Sequence, residues 1–294
     1  MKRFKSLSAL FLALVLALSL SVTAFAATGN NTITSITAKG EAFTITAFAY
    51  TGQNGSFTDY SCHHEFANIT NSELANLALT VTYSGGTVTT YVNVINRVAE
   101  LTLTSTNGVT ETYYIGAWKT GTTFYASVSV EFSTANDFYQ TATNTKYVGT
   151  AAGVSANPYM QATTAKQRAA AGSAYQKTNA AFNGNPSATY NGLSYGYTAA
   201  DIITQICTAN NVYISNSSGY ISQIGALNQD TAGQYVHPQW GGPYGSGGWM
   251  FKVLRGSGEI YPSISAGSFY LMPGDVVTWQ YTADVGYDLG APMF

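Results

Sequence analysis

Charge is scarce in this chain. Of 294 residues only twelve are Lys or Arg and fourteen Asp or Glu, 9 % together. No basic stripe runs through it, so a nucleic-acid backbone, which needs one, is a poor partner. Histidine is limited to His63, His64 and His237, and cysteine to Cys62 and Cys207. The sequence carries no HExxH, no GxSxG and no Ser/His/Asp or Cys/His set with recognisable spacing. Cys62-His63-His64-Glu65 has metal-compatible side chains, but neighbours on a strand point to opposite faces and no second pair follows at ligand spacing. A polar loop is the reading preferred there to a metal site. Glu65, Glu73, Glu131 and Asp137 leave paired-acid glycoside chemistry open but lack a distinguishing context. The expectation is therefore no enzyme, no catalytic residue and no metal, with a hydrolase of unrecognised site as the outlying alternative.

Long apolar runs are also missing after the first 26 residues. Lys2-Arg3-Phe4-Lys5, the apolar stretch Leu10–Leu20 and Ala24-Phe25-Ala26 read as a secretory leader, residues 1–26, cut after Ala26. The stretch is too short to span a bilayer comfortably. A secreted, extracellular mature chain without a transmembrane anchor is expected. The leader holds three of the twelve basic residues and none of the acids, so the mature chain is acidic. Export would permit Cys62 and Cys207 to pair, but they fall in different expected domains and Cys207 sits on the apolar face of an expected helix. Two buried thiols are preferred to a disulfide.

What the chain has is apolar residues, 46 %, with 22 Tyr and abundant Thr, a composition that favours strands and can bury a core. Between about residues 33 and 133 apolar and polar residues alternate. Phe43, Ile45, Ala47 and Ala49 share a face, and Leu77, Leu79, Val81 and Tyr83 alternate up to Ser84-Gly85-Gly86. Leu101 and Leu103 lead to Asn107-Gly108, and Phe124, Ala126, Val128 and Val130 form a further run. This predicts a mainly β, α+β chain that opens with an antiparallel, Ig-like β-sandwich over 27–149. Residues 150–185, with Lys166, Arg168 and Lys177, predict a linker or short helix, helical from Thr163 to Phe182. From 186 to 294 the pattern predicts a β-grasp-like domain. It contains a strand over 188–197, a helix capped by Thr198 and running to about Asn210, and strands over 220–227, 249–254, 268–271 and 276–281.

Three words in this last segment are specific: Gly247-Gly248-Trp249-Met250-Phe251, Tyr261-Pro262-Ser263-Ile264-Ser265-Ala266-Gly267, and Leu271-Met272-Pro273-Gly274-Asp275-Val276-Val277-Thr278-Trp279-Gln280-Tyr281-Thr282. In this order, after the helix and Gly219-Tyr220-Ile221-Ser222-Gln223-Ile224-Gly225, the segment resembles the family called DUF4430, the transcobalamin-like C-terminal domain. That family is a β-grasp ligand-binding module of exported bacterial proteins. The resemblance covers about a third of the chain and implies a small ligand, with a corrinoid such as cobalamin as the candidate. The transcobalamin relatives add a helical barrel, whereas the N-terminal segment here reads as strands. Family members often carry an Asn-Gly turn where this chain has Leu254-Arg255-Gly256-Ser257-Gly258-Glu259.

Candidate ligand contacts are Trp249, Tyr261, Tyr270, Trp279 and Tyr281, as an aromatic platform, with Tyr244 in the glycine-rich stretch Gly241–Gly248. The same rings could equally be core residues of a small sheet. The competing function is an extracellular adhesin or interaction module for a surface glycan or protein, with the β-grasp domain as scaffold.

Overall fold

The structure is a computed structural model that describes residues 31–52, 55–93, 97–106, 108, 110–133, 165–228, 231, 234–237, 242–245, 247–262, 264–282, 286, 289 and 291. The expected leader over 1–26 and the first part of the expected linker lie outside the described residues, as do the side chains around Tyr244.

The first half contains β1 (Ile33–Ala38), β2 (Glu41–Ala42), β3 (Thr44–Gly52), β4 (Gly55–Phe66), helix α1 (Asn71–Ala75), β5 (Ala78–Tyr83), β6 (Gly86–Tyr91), β7 (Val98–Thr104) and β8 (Thr110–Lys119). They form two four-stranded sheets, β2-β1-β5-β6 and β3-β4-β8-β7. The alternation fixes which side chains face inward. Ile36, Leu79 and Val81 of the first sheet meet Cys62, Leu101, Ile115 and Ala117 of the second in one core. The hairpins follow the turn residues: Tyr83 pairs with Gly86, and Thr104 with Thr110 around Gly108 at φ 82°. The sandwich is not purely antiparallel, because β4 and β8 run parallel. The chain between them passes through α1 and three other strands and re-enters the sheet in the same direction, which alternation alone does not encode.

The second half adds β9 (Phe124–Glu131), α2 (Ala165–Ala181), β10 (Ser187–Leu193), α3 (Ala199–Ala209), β11 (Ile214–Ser217), β12 (Tyr220–Ile224), β13 (Leu227–Asn228), β14 (Gln234–His237), β15 (Gly242–Gly245), β16 (Gly248–Arg255), β17 (Gly258–Ile260) and β18 (Val276–Thr282). Its main sheet is β10-β9-β18-β16-β17, with β9 parallel to β18 and the other pairings antiparallel. Strand β9, grouped by proximity with the sandwich in the sequence reading, thus pairs with strands of the C-terminal half. Helix α3 lays Ile202, Ile203, Ile206 and Cys207 on this sheet, and its start is a capping box: the Asp201 amide donates to Thr198 Oγ1 at 3.2 Å and the Thr198 amide to Asp201 Oδ2 at 2.8 Å. Cys62 and Cys207 stand in separate cores, not in a disulfide. Residues 268–271 form no strand; they make a turn and a single bridge from Tyr270 to Thr198.

The sheet β3-β4-β8-β7 has both faces covered. Tyr113, Ile115 and Ala117 of β8 enter the sandwich core, while Tyr114 joins Met272 and Val98 in a small cluster on the other side. Burial of both faces explains the unbroken buried run Tyr113–Trp118, where alternation vanishes.

Candidate functional site

Strands β16 and β18 set the aromatic residues in cross-strand pairs, Trp249 opposite Tyr281 and Phe251 opposite Trp279. Trp249 meets Tyr281 edge-on at 5.3 Å between ring centres, and Phe251 stacks on Trp279 at 5.1 Å. Val277, Trp279 and Tyr281 all turn towards the helix side and are buried, because β18 is a central strand and its alternate residues must enter the core.

On this side the sheet leaves a groove of about 400 Å³ between β12 and the segment 262–266, within the size range of small-ligand sites. Trp249, Phe251 and Trp279 of the sheet line it together with Tyr220, Ile221, Ile264 and Ser265. The Trp249 indole N–H donates to the Leu227 carbonyl at 3.0 Å, which fixes the ring half-buried at the groove. Trp279 is 2 % exposed, and among the described residues its indole N–H has no acceptor. A buried indole N–H normally finds one, and leaving it unmade costs about 1–3 kcal/mol. The groove is thus mainly apolar and aromatic, with the polar Ser265 also in its lining and the Trp279 N–H buried behind it.

Of the six expected contacts, the five whose side chains are described do not all converge. Trp249 and Trp279 share the groove. Tyr281 lies beneath Trp249, buried, with its hydroxyl donating to the Asn228 carbonyl at 2.8 Å. Tyr261 lines a different cavity, where Lys252 Nζ stands 5.8 Å from its ring. Tyr270 points to the sandwich and stacks with Tyr195 at 6.3 Å. Tyr244 lies on β15 opposite Tyr235, and its side chain is outside the described residues. The single platform fails because residues on opposite faces of a strand, or beyond a turn, are carried to different layers. Tyr220 and Ile221 were missed as groove walls; only their place in a hairpin was legible.

The Pro273-Gly274 turn has Gly274 at φ 83° and the Asp275 amide bonded to the Met272 carbonyl at 3.1 Å, as a type II turn requires. Asp275 then does more than shape the turn. Its carboxylate accepts the Met272 amide at 2.8 Å and two guanidinium N–H groups of Arg255 at 2.9 and 2.7 Å. Both side chains are buried, Arg255 at 3 % and Asp275 at 0 % exposure. Arg255 also donates to the Tyr270 carbonyl at 3.0 Å and lies over the Phe269 ring. This pair holds the β16 end, the Tyr270 segment and the β18 start together.

At the junction with the sandwich, His63 stacks on Trp118 at 6.1 Å and its Nε2 contacts the Tyr195 hydroxyl. Burial first, then the charges of His64 and Arg255, lowers the His63 pKa to about 4. Its neighbours in the metal-compatible run diverge: Cys62 enters the core and His64 pairs with Glu41 at 2.9 Å. Among the described residues no three His, Cys, Asp or Glu side chains converge on a common ion site. Set against protein-family models, curated proteins and solved structures, the chain matches none of them.

Proposed function

We propose that this chain is an exported, non-enzymatic binding protein. In this reading an Ig-like sandwich carries a β-grasp-like unit that captures a small ligand in the Trp249/Trp279 groove. The observation that carries it is a mainly apolar and aromatic groove lined by Trp279, whose buried indole N–H has no acceptor among the described residues. A ligand with a flat or ring-shaped apolar body and one hydrogen-bond acceptor would satisfy that donor. Helix α3 packed on a mixed sheet with a central parallel pair supports the β-grasp reading, with β9 as its first strand. The resemblance to the transcobalamin-like domain makes a corrinoid the first candidate, its peripheral amides being acceptors of the required kind. The groove is sized to hold an edge of such a macrocycle rather than to enclose it.

The test is isothermal titration calorimetry of the protein beginning at Ala27 against cyanocobalamin and cobinamide, with a Trp279→Phe variant that keeps an aromatic ring and removes the N–H. Saturable binding that weakens roughly tenfold in the variant, the effect of one lost hydrogen bond in a dry site, supports the reading. Absence of heat with both corrinoids overturns the corrinoid assignment. It leaves the scaffold reading, in which the C-terminal unit serves a glycan or protein partner.

A further inference from the structure

A second cavity, about 540 Å³, opens where the outer face of the sheet β3-β4-β8-β7 meets the β16–β17 hairpin. One wall is supplied by Ser61, Thr112 and Tyr114 of the sandwich, with Glu100 of β7 beside them. The other is supplied by Glu259 and Tyr261 of the C-terminal half. Ser61 alternates with Tyr60 and Cys62, which face the sandwich core, so it is turned to the junction. It is 6 % exposed and its hydroxyl has no hydrogen-bond partner among the described residues, although a buried hydroxyl ordinarily acquires one.

The charged groups here are already fixed. Glu100 accepts from the Ser257 hydroxyl at 2.8 Å, and Glu259 from Lys252 Nζ at 2.8 Å. Arg255 reaches the cavity too, but Asp275 holds its guanidinium by two bonds. Two carboxylates beside cations that are both engaged make a poor site for an anion. They do suit hydroxyl donors, since a fixed carboxylate accepts O–H groups without further ordering. Burial, as the first cause, raises the Tyr114 and Tyr261 phenol pKa values; their hydroxyls already bond to Ser257 and Glu259, so what each offers a ligand is its ring face.

We propose that this junction cavity is a binding site for a neutral polyhydroxylated ligand, a glycan unit held by Ser61, Glu100 and Glu259 against the rings of Tyr114 and Tyr261. The site adjoins the Trp249/Trp279 groove across Pro262 and Ile264, which line both, but uses neither tryptophan and does not depend on ligand binding there. Because its walls come from both halves of the molecule, the ligand bridges them.

The experiment is saturation-transfer NMR and calorimetry of the full mature chain with glucose, galactose, mannose, N-acetylglucosamine and their neutral tetrasaccharides at millimolar concentration. A tetragalacturonate serves as the anionic comparison. At least one neutral sugar is expected to saturate, to weaken about tenfold in Ser61→Ala, and to bind Trp279→Phe as it binds the parent. Ser61→Ala should melt no lower than the parent, because its hydroxyl bonds to none of the described residues in the ligand-free protein. Tyr261→Ala, remote from the sandwich core, should also lose affinity. The proposal is overturned if no neutral sugar saturates or if the tetragalacturonate binds more tightly than the neutral sugars. It is equally overturned if neither substitution changes affinity, or if Ser61→Ala lowers the melting temperature as loss of a structural hydroxyl would.

Discussion

Asp275 shows how much one side chain can carry in a protein with so few charges. At the Pro273-Gly274 turn the Met272 amide donates to Asp275 Oδ2, a bond between near neighbours. The Arg255 partner, 20 positions earlier, was not legible, since nothing local to either residue marks a buried pair. Asp275→Asn keeps the shape but leaves a guanidinium buried without its counter-charge. A loss of about 3–5 kcal/mol in unfolding free energy is expected, measured by urea denaturation. A loss below about 1 kcal/mol, the value of a surface pair, would mean that water reaches the site.

At the scale of the element, two hairpins of the same geometry separate a turn's own requirement from that of its surroundings. Lys39-Gly40 and Ser218-Gly219 both have positive φ at their two central residues, 53° and 80° against 51° and 88°, the arrangement of a tight type I′ turn. A Cβ on Gly40 would meet nothing within 4 Å, whereas one on Gly219 would lie 2.3 Å from the backbone nitrogen of Gly267. That approach docks β12 against the 264–267 segment and so forms the groove wall. Gly40→Ala should incur only the backbone strain, about 1 kcal/mol, while Gly219→Ala should lower stability by at least twice as much and weaken groove binding. Equal melting temperatures for the two variants would remove the packing argument. The same need for a missing Cβ occurs at Gly258, where the Tyr114 hydroxyl occupies the space, so the Gly256-Ser257-Gly258 turn is shaped to fit the sandwich.

For the whole molecule, the junction between sandwich and C-terminal half carries its own pH signature. His63 lies there among Tyr195, Trp118, His64 and Arg255, neutral and buried. The unfolded chain takes up a proton on this ring near pH 6.5, but the folded protein only near pH 4. The unfolded state therefore binds more protons between these values, so stability falls as pH drops from about 6.5 to 4 and this contribution changes no further below. The total loss over that window is about 3 kcal/mol. Thermal melts of the parent should show this decline, and His63→Gln, which keeps a polar atom towards Tyr195, should flatten it. An unchanged slope in the variant would assign the pH dependence to other groups.

Sequence alone determined the features that depend on near neighbours. The strands and their faces follow from alternation, and the turns at Ser84-Gly85-Gly86 and around Gly108 follow from residues that tolerate positive φ. The helix start at Thr198 follows from a side chain that caps its own turn. Tertiary structure decided which strands became partners: β4 with β8 and β9 with β18, both parallel and joined through long stretches of chain. It also decided that Trp249 and Trp279 share a groove while Tyr261 and Tyr270 turn to the junction. Alternation states only that a side chain faces one side of a strand. What stands on that side, and whether Ser61 or the Trp279 N–H finds a partner there, is settled when distant segments pack and water is excluded between them.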